Sequence, residues 1–154
     1  MCPLDIQVPV HVQPALMGTI KTDFRLASTL PNKAEEPELC KAVSDQYIKD
    51  KYKHYTKIYT DGSKNPEEKI AGAGFVVYDD KDVEIHNCAA KLDHRVSVYT
   101  TELVAMLGAL NWLTQSPLII IITDSLSALK SLKSCQSNSR PDLMTQTKKR
   151  IQRY

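Results

Sequence analysis

From Lys57 onward the apolar and polar positions follow two rhythms, one of period two and one of period three to four. Lys57–Asp61 sets Ile58 and Thr60 against Lys57, Tyr59 and Asp61, the alternation of a strand. Gly62-Ser63 then reads as a turn, and Asn65-Pro66-Glu67-Glu68 as a polar loop. Ala71–Tyr78 ("AGAGFVVY") predicts a second strand, Asp79–Asp82 a turn, and Val83–Lys91 a third strand, together an antiparallel meander.

The rhythm changes after Ser97, a good N-cap. Val98–Thr114 carries Leu103, Met106, Leu107, Leu110 and Leu113 at helical spacing, beside a second stripe of Val98, Ala105, Ala109 and Trp112. Leu118–Ile122 is apolar throughout, as a buried parallel strand would be. Ser125–Lys133 resumes helical spacing. The order β-β-β-α-β-α predicts an α/β fold: a mixed sheet, three antiparallel strands plus one parallel strand entering by a helical crossover, with covering helices. Residues 1–50 read as a linker or upstream arm punctuated by prolines, with Ala34–Tyr52 forming a helix around Leu39, Val43, Tyr47 and Ile48. Residues 51–154 read as the domain.

Three acids stand out in this frame. Asp61 before Gly62 can start an Asx turn, and Asp124 before Ser125 can cap a helix. Glu102 shares the stripe of Val98, Ala105 and Ala109, where a carboxylate is costly to bury unless paired or metal-bound. If the strands ending at Asp61 and Asp124 are parallel neighbours, both acids emerge on one edge of the sheet and Glu102 projects toward them from the crossover helix. Three carboxylates so placed repel one another, and divalent cations remove that conflict. Mg²⁺ favours oxygen ligands and often binds through a few carboxylates plus substrate phosphates. The absence of His and Cys from the set argues against zinc.

Composition narrows the field further. The 154 residues are 42% apolar and 25% charged, ordinary for a globular domain, and the net charge of +2 alone implies no polyanion. The basic residues cluster at Lys49–Lys57 and Arg140–Tyr154, as solvated faces or as phosphate contacts. Cys2, Cys40, Cys88 and Cys135 are widely spaced, which fits reduced thiols in an intracellular setting. No signal peptide or membrane span is legible.

The segments "YTDGSK" (59–64), "AGAGFVV" (71–77), "TELVAMLGAL" (101–110) and "ITDSLSALKSL" (122–132) resemble type-1 ribonuclease H domains, especially those of non-LTR retrotransposon polyproteins. The resemblance covers roughly Tyr55–Tyr154. It implies metal-dependent endonucleolytic cleavage of the RNA strand of an RNA–DNA hybrid, with Asp61, Glu102 and Asp124 as catalytic metal ligands. Two Mg²⁺ ions about 4 Å apart would serve the reaction, with Mn²⁺ able to substitute. Gly62, Ser63, Lys64 and Ser125 would contact nucleic acid, where the 2′-OH marks RNA; both serines can equally shape local backbone. The resemblance also implies a link to a reverse transcriptase.

Two departures from the family pattern set further expectations. Val98-Tyr99-Thr100-Thr101 stands where many cellular members carry amide side chains before the helix glutamate. The last strand and the late helix with a fourth acid are expected to be missing, with Asp142 on the wrong element to replace that acid. The alternative function is therefore a truncated, inactive remnant that binds nucleic acid or protein. An ATPase or integrase reading is weaker, because "AGAG" lies inside a strand rather than a phosphate loop.

Overall fold

The computed structural model describes residues 2–3, 21–32, 34–112 and 118–137. Its elements in chain order are β1 (Cys2–Pro3), α1 (Arg25–Thr29), α2 (Pro37–Lys51), β2 (Thr56–Asn65), β3 (Ile70–Tyr78), β4 (Glu84–Leu92), α3 (Val98–Trp112), β5 (Ile119–Thr123) and α4 (Leu126–Ser137). The sheet order is β1-β4-β3-β2-β5. β2, β3 and β4 form the expected antiparallel meander, and β5 joins β2 in parallel after the α3 crossover. The mixed α/β architecture expected from the periodicities is the one observed.

Several details differ from expectation. β2 does not stop at Asp61: Gly62 pairs with Ala73 and Ser63 with Gly72, so the strand runs on to Asn65. The turn lies beyond it, where Asn65 Oδ1 accepts the amides of Glu67 (3.1 Å) and Glu68 (3.2 Å). β5 is half-buried rather than fully buried, because it sits at the edge of the described sheet with β2 on one side only. α4 extends to Ser137, beyond Lys133. Finally, Cys2–Pro3 adds a two-residue parallel strand on β4, too short to leave a periodic signal. The expected helix end at Leu113–Thr114 and the basic segment from Arg140, with Asp142, lie outside the described residues.

Strand alternation decides which face carries the core. Ala71, Ala73, Phe75 and Val77 of β3 and Ile58 of β2 are buried. Ala105 and Ala109, from the second stripe of α3, pack onto this face. The first stripe turns the other way. Met106 and Leu110, with Leu103 and Leu107, close on Ala128 and Leu132 of α4. Small side chains on both sides of the α3–sheet contact let the helix axis come close, which matters for the site below.

The basic run at Lys49–Lys57 is not one solvated face. Lys57 is 2% exposed within the sheet, and its ammonium donates to Asp82 Oδ1 at 2.7 Å. Burial of an ammonium demands such a partner. Asp82 adopts φ 60° in the turn that delivers it.

Upstream, Pro37 occupies the first turn of α2, where its missing amide costs nothing. Cys40 and Ile48 are this helix's buried residues, while Leu39 is exposed. Cys40 and Cys88 are free thiols. Asp23 gathers this region: its carboxylate accepts from Arg25 Nε and Nη2, from Lys51 Nζ and from the Tyr52 hydroxyl. The neighbouring Phe24 ring lies 4.9 Å from Lys133 Nζ of α4. No described helix is long and apolar enough to cross a membrane.

Hydrogen bonds from Arg25 and Lys51 hold the Asp23 carboxyl far below its ordinary value of 3.8. A depressed carboxylate contributes stability in full above its unfolded value and loses it as pH falls below that value. Asp23→Asn should therefore lower stability at pH 7 by about 1 kcal/mol or less, as exposed ion pairs do. Urea unfolding of both proteins should show the difference narrowing steadily below pH 3.8; a gap that is constant with pH would contradict the ion-pair origin.

Candidate metal centre

Three elements each deliver one acid to the same place. In the parallel β2–β5 pair, Thr60 is level with Thr123, so the next residues in each strand direction are Asp61 and Asp124. Thr60 Oγ1 donates to the Ile122 carbonyl at 3.4 Å, bracing the two strands just before the acids. Glu102 arrives from the first turns of α3, on the stripe that faces the sheet. One carboxylate oxygen from each of Asp61, Glu102 and Asp124 lies within 4.8 Å of the others.

Neighbouring residues fill the local roles these acids otherwise had open to them. The Asx turn belongs to Asn65, four residues past Asp61. The cap of α4 belongs to Ser125, whose Oγ accepts the Ala128 amide at 3.3 Å while its carbonyl accepts that of Leu129. At α3 the expected cap is observed, with Ser97 Oγ accepting the Thr100 amide at 3.0 Å. Two capped helices thus hold Glu102 and Asp124 at defined positions.

Gly62 determines how closely α3 can approach. A Cβ built at this position would stand 2.4 Å from the Glu102 amide nitrogen and 2.5 Å from the Thr101 carbonyl carbon. Both are backbone atoms and cannot swing aside. Only a hydrogen in place of a side chain allows β2 to touch the α3 backbone at the residue that bears the third carboxylate. Thr101, fully buried, completes the contact by donating its hydroxyl to the Val98 carbonyl at 2.6 Å.

The site has a buried floor and an open rim. Glu102 is 8% exposed, while Asp61 and Asp124 are exposed. A shallow cleft of about 200 Å³ adjoins Asp61, lined by Tyr59, Thr60, Gly74, Phe75 and Val76. Burial, and then the charge of Asp45, raise the Tyr59 phenol above its ordinary pKa, so it stays neutral and protonated at physiological pH. A donor set of carboxylate oxygens alone suits a hard cation such as Mg²⁺, Mn²⁺ or Ca²⁺ and is poor for zinc or copper. The residues present therefore fit a divalent metal of that class.

The other expected contacts have structural tasks of their own. Gly62 packs against α3, and Ser125 caps α4. Lys64 Nζ donates to the Val96 carbonyl at 2.7 Å, tying the end of β2 to the loop before α3. Ser63 is exposed on β2 beside Asp61. The reading from sequence missed the bracing role of Thr60, the packing role of Gly62 and the buried Thr101. Thr60 had a visible signal, a β-branched hydroxyl next to the acid; the other two depend on contacts between elements distant in the chain.

The sequence profile of the RNase H family matches residues 53–153, more than half of the chain. All three acids and both helices that position them fall inside this span. A search of curated proteins returns no match.

Gly62→Ala is expected to destabilise the fold by about 1–3 kcal/mol through overpacking. Divalent-metal affinity should fall with it, read by Mn²⁺ titration under conditions where the variant remains folded. Wild-type stability together with wild-type Mn²⁺ affinity would contradict the close α3–β2 contact.

Proposed function

Because the chain belongs to the RNase H family, we propose that it hydrolyses the RNA strand of RNA–DNA hybrids endonucleolytically, with Asp61, Glu102 and Asp124 holding two Mg²⁺ ions and Mn²⁺ able to replace them. The observation that carries this reading is the meeting of three carboxylate oxygens within 4.8 Å inside the span matched by the family. Bound ions would offset the carboxylate charge, activate a water for attack on the phosphodiester and stabilise the departing oxygen.

The chain's own contribution is placement. Glu102 is anchored in the interior by α3, while Asp61 and Asp124 face outward, so a duplex approaches from their side. Backbone phosphates and sugars position such a duplex without base reading. Ser63 is the exposed hydroxyl nearest in sequence to Asp61 and suits a contact to the ribose 2′-OH. Gly62, Lys64 and Ser125 line the same stretch as further contacts, Lys64 through the ammonium protons not directed at Val96. The motif likeness noted above also supports an origin in a retrotransposon polyprotein, with reverse transcriptase as the neighbouring activity.

An end-labelled RNA–DNA hybrid incubated with the full chain and Mg²⁺ should be cut within its RNA strand, and chelation should stop the reaction. Duplex DNA should remain intact. Asp61→Asn, Glu102→Gln and Asp124→Asn should each lower the rate by at least about a hundredfold. A protein that binds hybrid but leaves it uncut across all Mg²⁺ and Mn²⁺ concentrations would instead be a binding module, and the enzymatic reading would fail.

A further inference from the structure

Glu102 is carried by α3, and Asp124 lies between the end of β5 and the Ser125 cap of α4, so their spacing depends in part on how α3 and α4 pack. The seam between these helices is apolar along most of its length, formed by Leu103, Met106, Leu107 and Leu110 against Ala128 and Leu132. Apolar contacts are non-directional and tolerate sliding. At the end nearest Glu102 the seam changes character. The Tyr99 hydroxyl and Ser131 Oγ lie 2.6 Å apart, a directional hydrogen bond between the first turn of α3 and the middle of α4. Tyr99 lies one turn before Glu102, on the stripe of Leu103, Met106 and Leu110 that faces α4. Ser131 lies on the rigid helix whose cap, Ser125, immediately follows Asp124. Tyr99 is 36% exposed, at the rim of this seam.

We propose that Tyr99 is a positioning residue for the metal centre: its hydrogen bond to Ser131 sets the register of α3 against α4 and thereby the separation of the Glu102 and Asp124 carboxylates. Val98–Thr101 is also the stretch that lacks the amide side chains of many cellular ribonucleases H. Tyr99 here is directed to the protein's own α4. The proposal rests on the metal-binding reading of the three acids, but its first test does not require cleavage.

The test compares the full chain with Tyr99→Phe, Ser131→Ala and the double variant. Tyr99→Phe keeps the ring and removes only the hydroxyl. Mn²⁺ binding to the free proteins, followed by calorimetry or by the electron paramagnetic resonance of the unbound ion, should weaken by about threefold to tenfold in each single variant, the range expected for one lost hydrogen bond. The double variant should be no weaker than the singles, because both changes remove the same bond. Thermal midpoints should stay close to wild type, since the pair is at the rim. In cleavage assays at limiting metal, kcat should fall while KM for the hybrid stays within about twofold.

Unchanged Mn²⁺ affinity in Tyr99→Phe would overturn the proposal. So would effects that multiply in the double variant, or a raised KM at unchanged kcat, which would make Tyr99 a substrate contact. If the wild-type chain binds Mn²⁺ but cuts no hybrid, the ribonuclease reading fails while the Mn²⁺ comparison still decides the role of Tyr99.

Discussion

The site depends on a contact between backbones, where β2 passes α3 at Gly62. No side chain other than hydrogen fits there, since a Cβ would stand 2.4 Å from the Glu102 nitrogen. Much of the surrounding composition serves this approach. Ala71 and Ala73 on the sheet, and Ala105 and Ala109 on the helix, keep the layers near one another on either side of it. The consequence is chemical as well as steric. A helix held at an ordinary layer distance would leave Glu102 remote from Asp61; a helix in backbone contact brings their oxygens within reach of one ion.

That arrangement places a carboxylate where carboxylates are unwelcome. Glu102 is almost fully buried, and two further acids stand beside it. Unlike the buried Lys57, which meets Asp82 across a turn, this cluster brings together charges of one sign. Interiors accept such a cluster when a cation completes it. The gradient from buried Glu102 to exposed Asp61 and Asp124 would leave a bound cation reachable by a large substrate, as the proposed nuclease chemistry requires.

Much of this was legible in the residues. Strand and helix periods gave the meander, the crossover and the parallel return, because each is written in local side-chain alternation. The acids were legible because "YTDGSK", "TELVAML" and "ITDS" are short and contiguous. What escaped were consequences of elements meeting. Gly62-Ser63 looks like a turn in isolation, yet pairing with Ala73 and Gly72 keeps it extended and moves the turn to Asn65. Lys57 looks like part of a basic face, yet strand alternation and a positive-φ turn bury it against Asp82. Asp124 looks like a helix cap, yet Ser125 takes that position, and Asp124 meets Asp61 and Glu102 instead. Tyr99 and Ser131 are 32 residues apart, beyond the reach of any local pattern.

The convergence of three carboxylates on one hard cation is tested most directly by crystals of the full chain grown with Mn²⁺ and measured at the manganese absorption edge. Anomalous density should appear about 2.0–2.4 Å from oxygens of Asp61, Glu102 and Asp124 together, the distances expected of oxygen-ligated divalent ions. Well-ordered density for all three side chains with no anomalous peak between them at saturating Mn²⁺, or a peak held by other residues, would contradict a metal centre at this position.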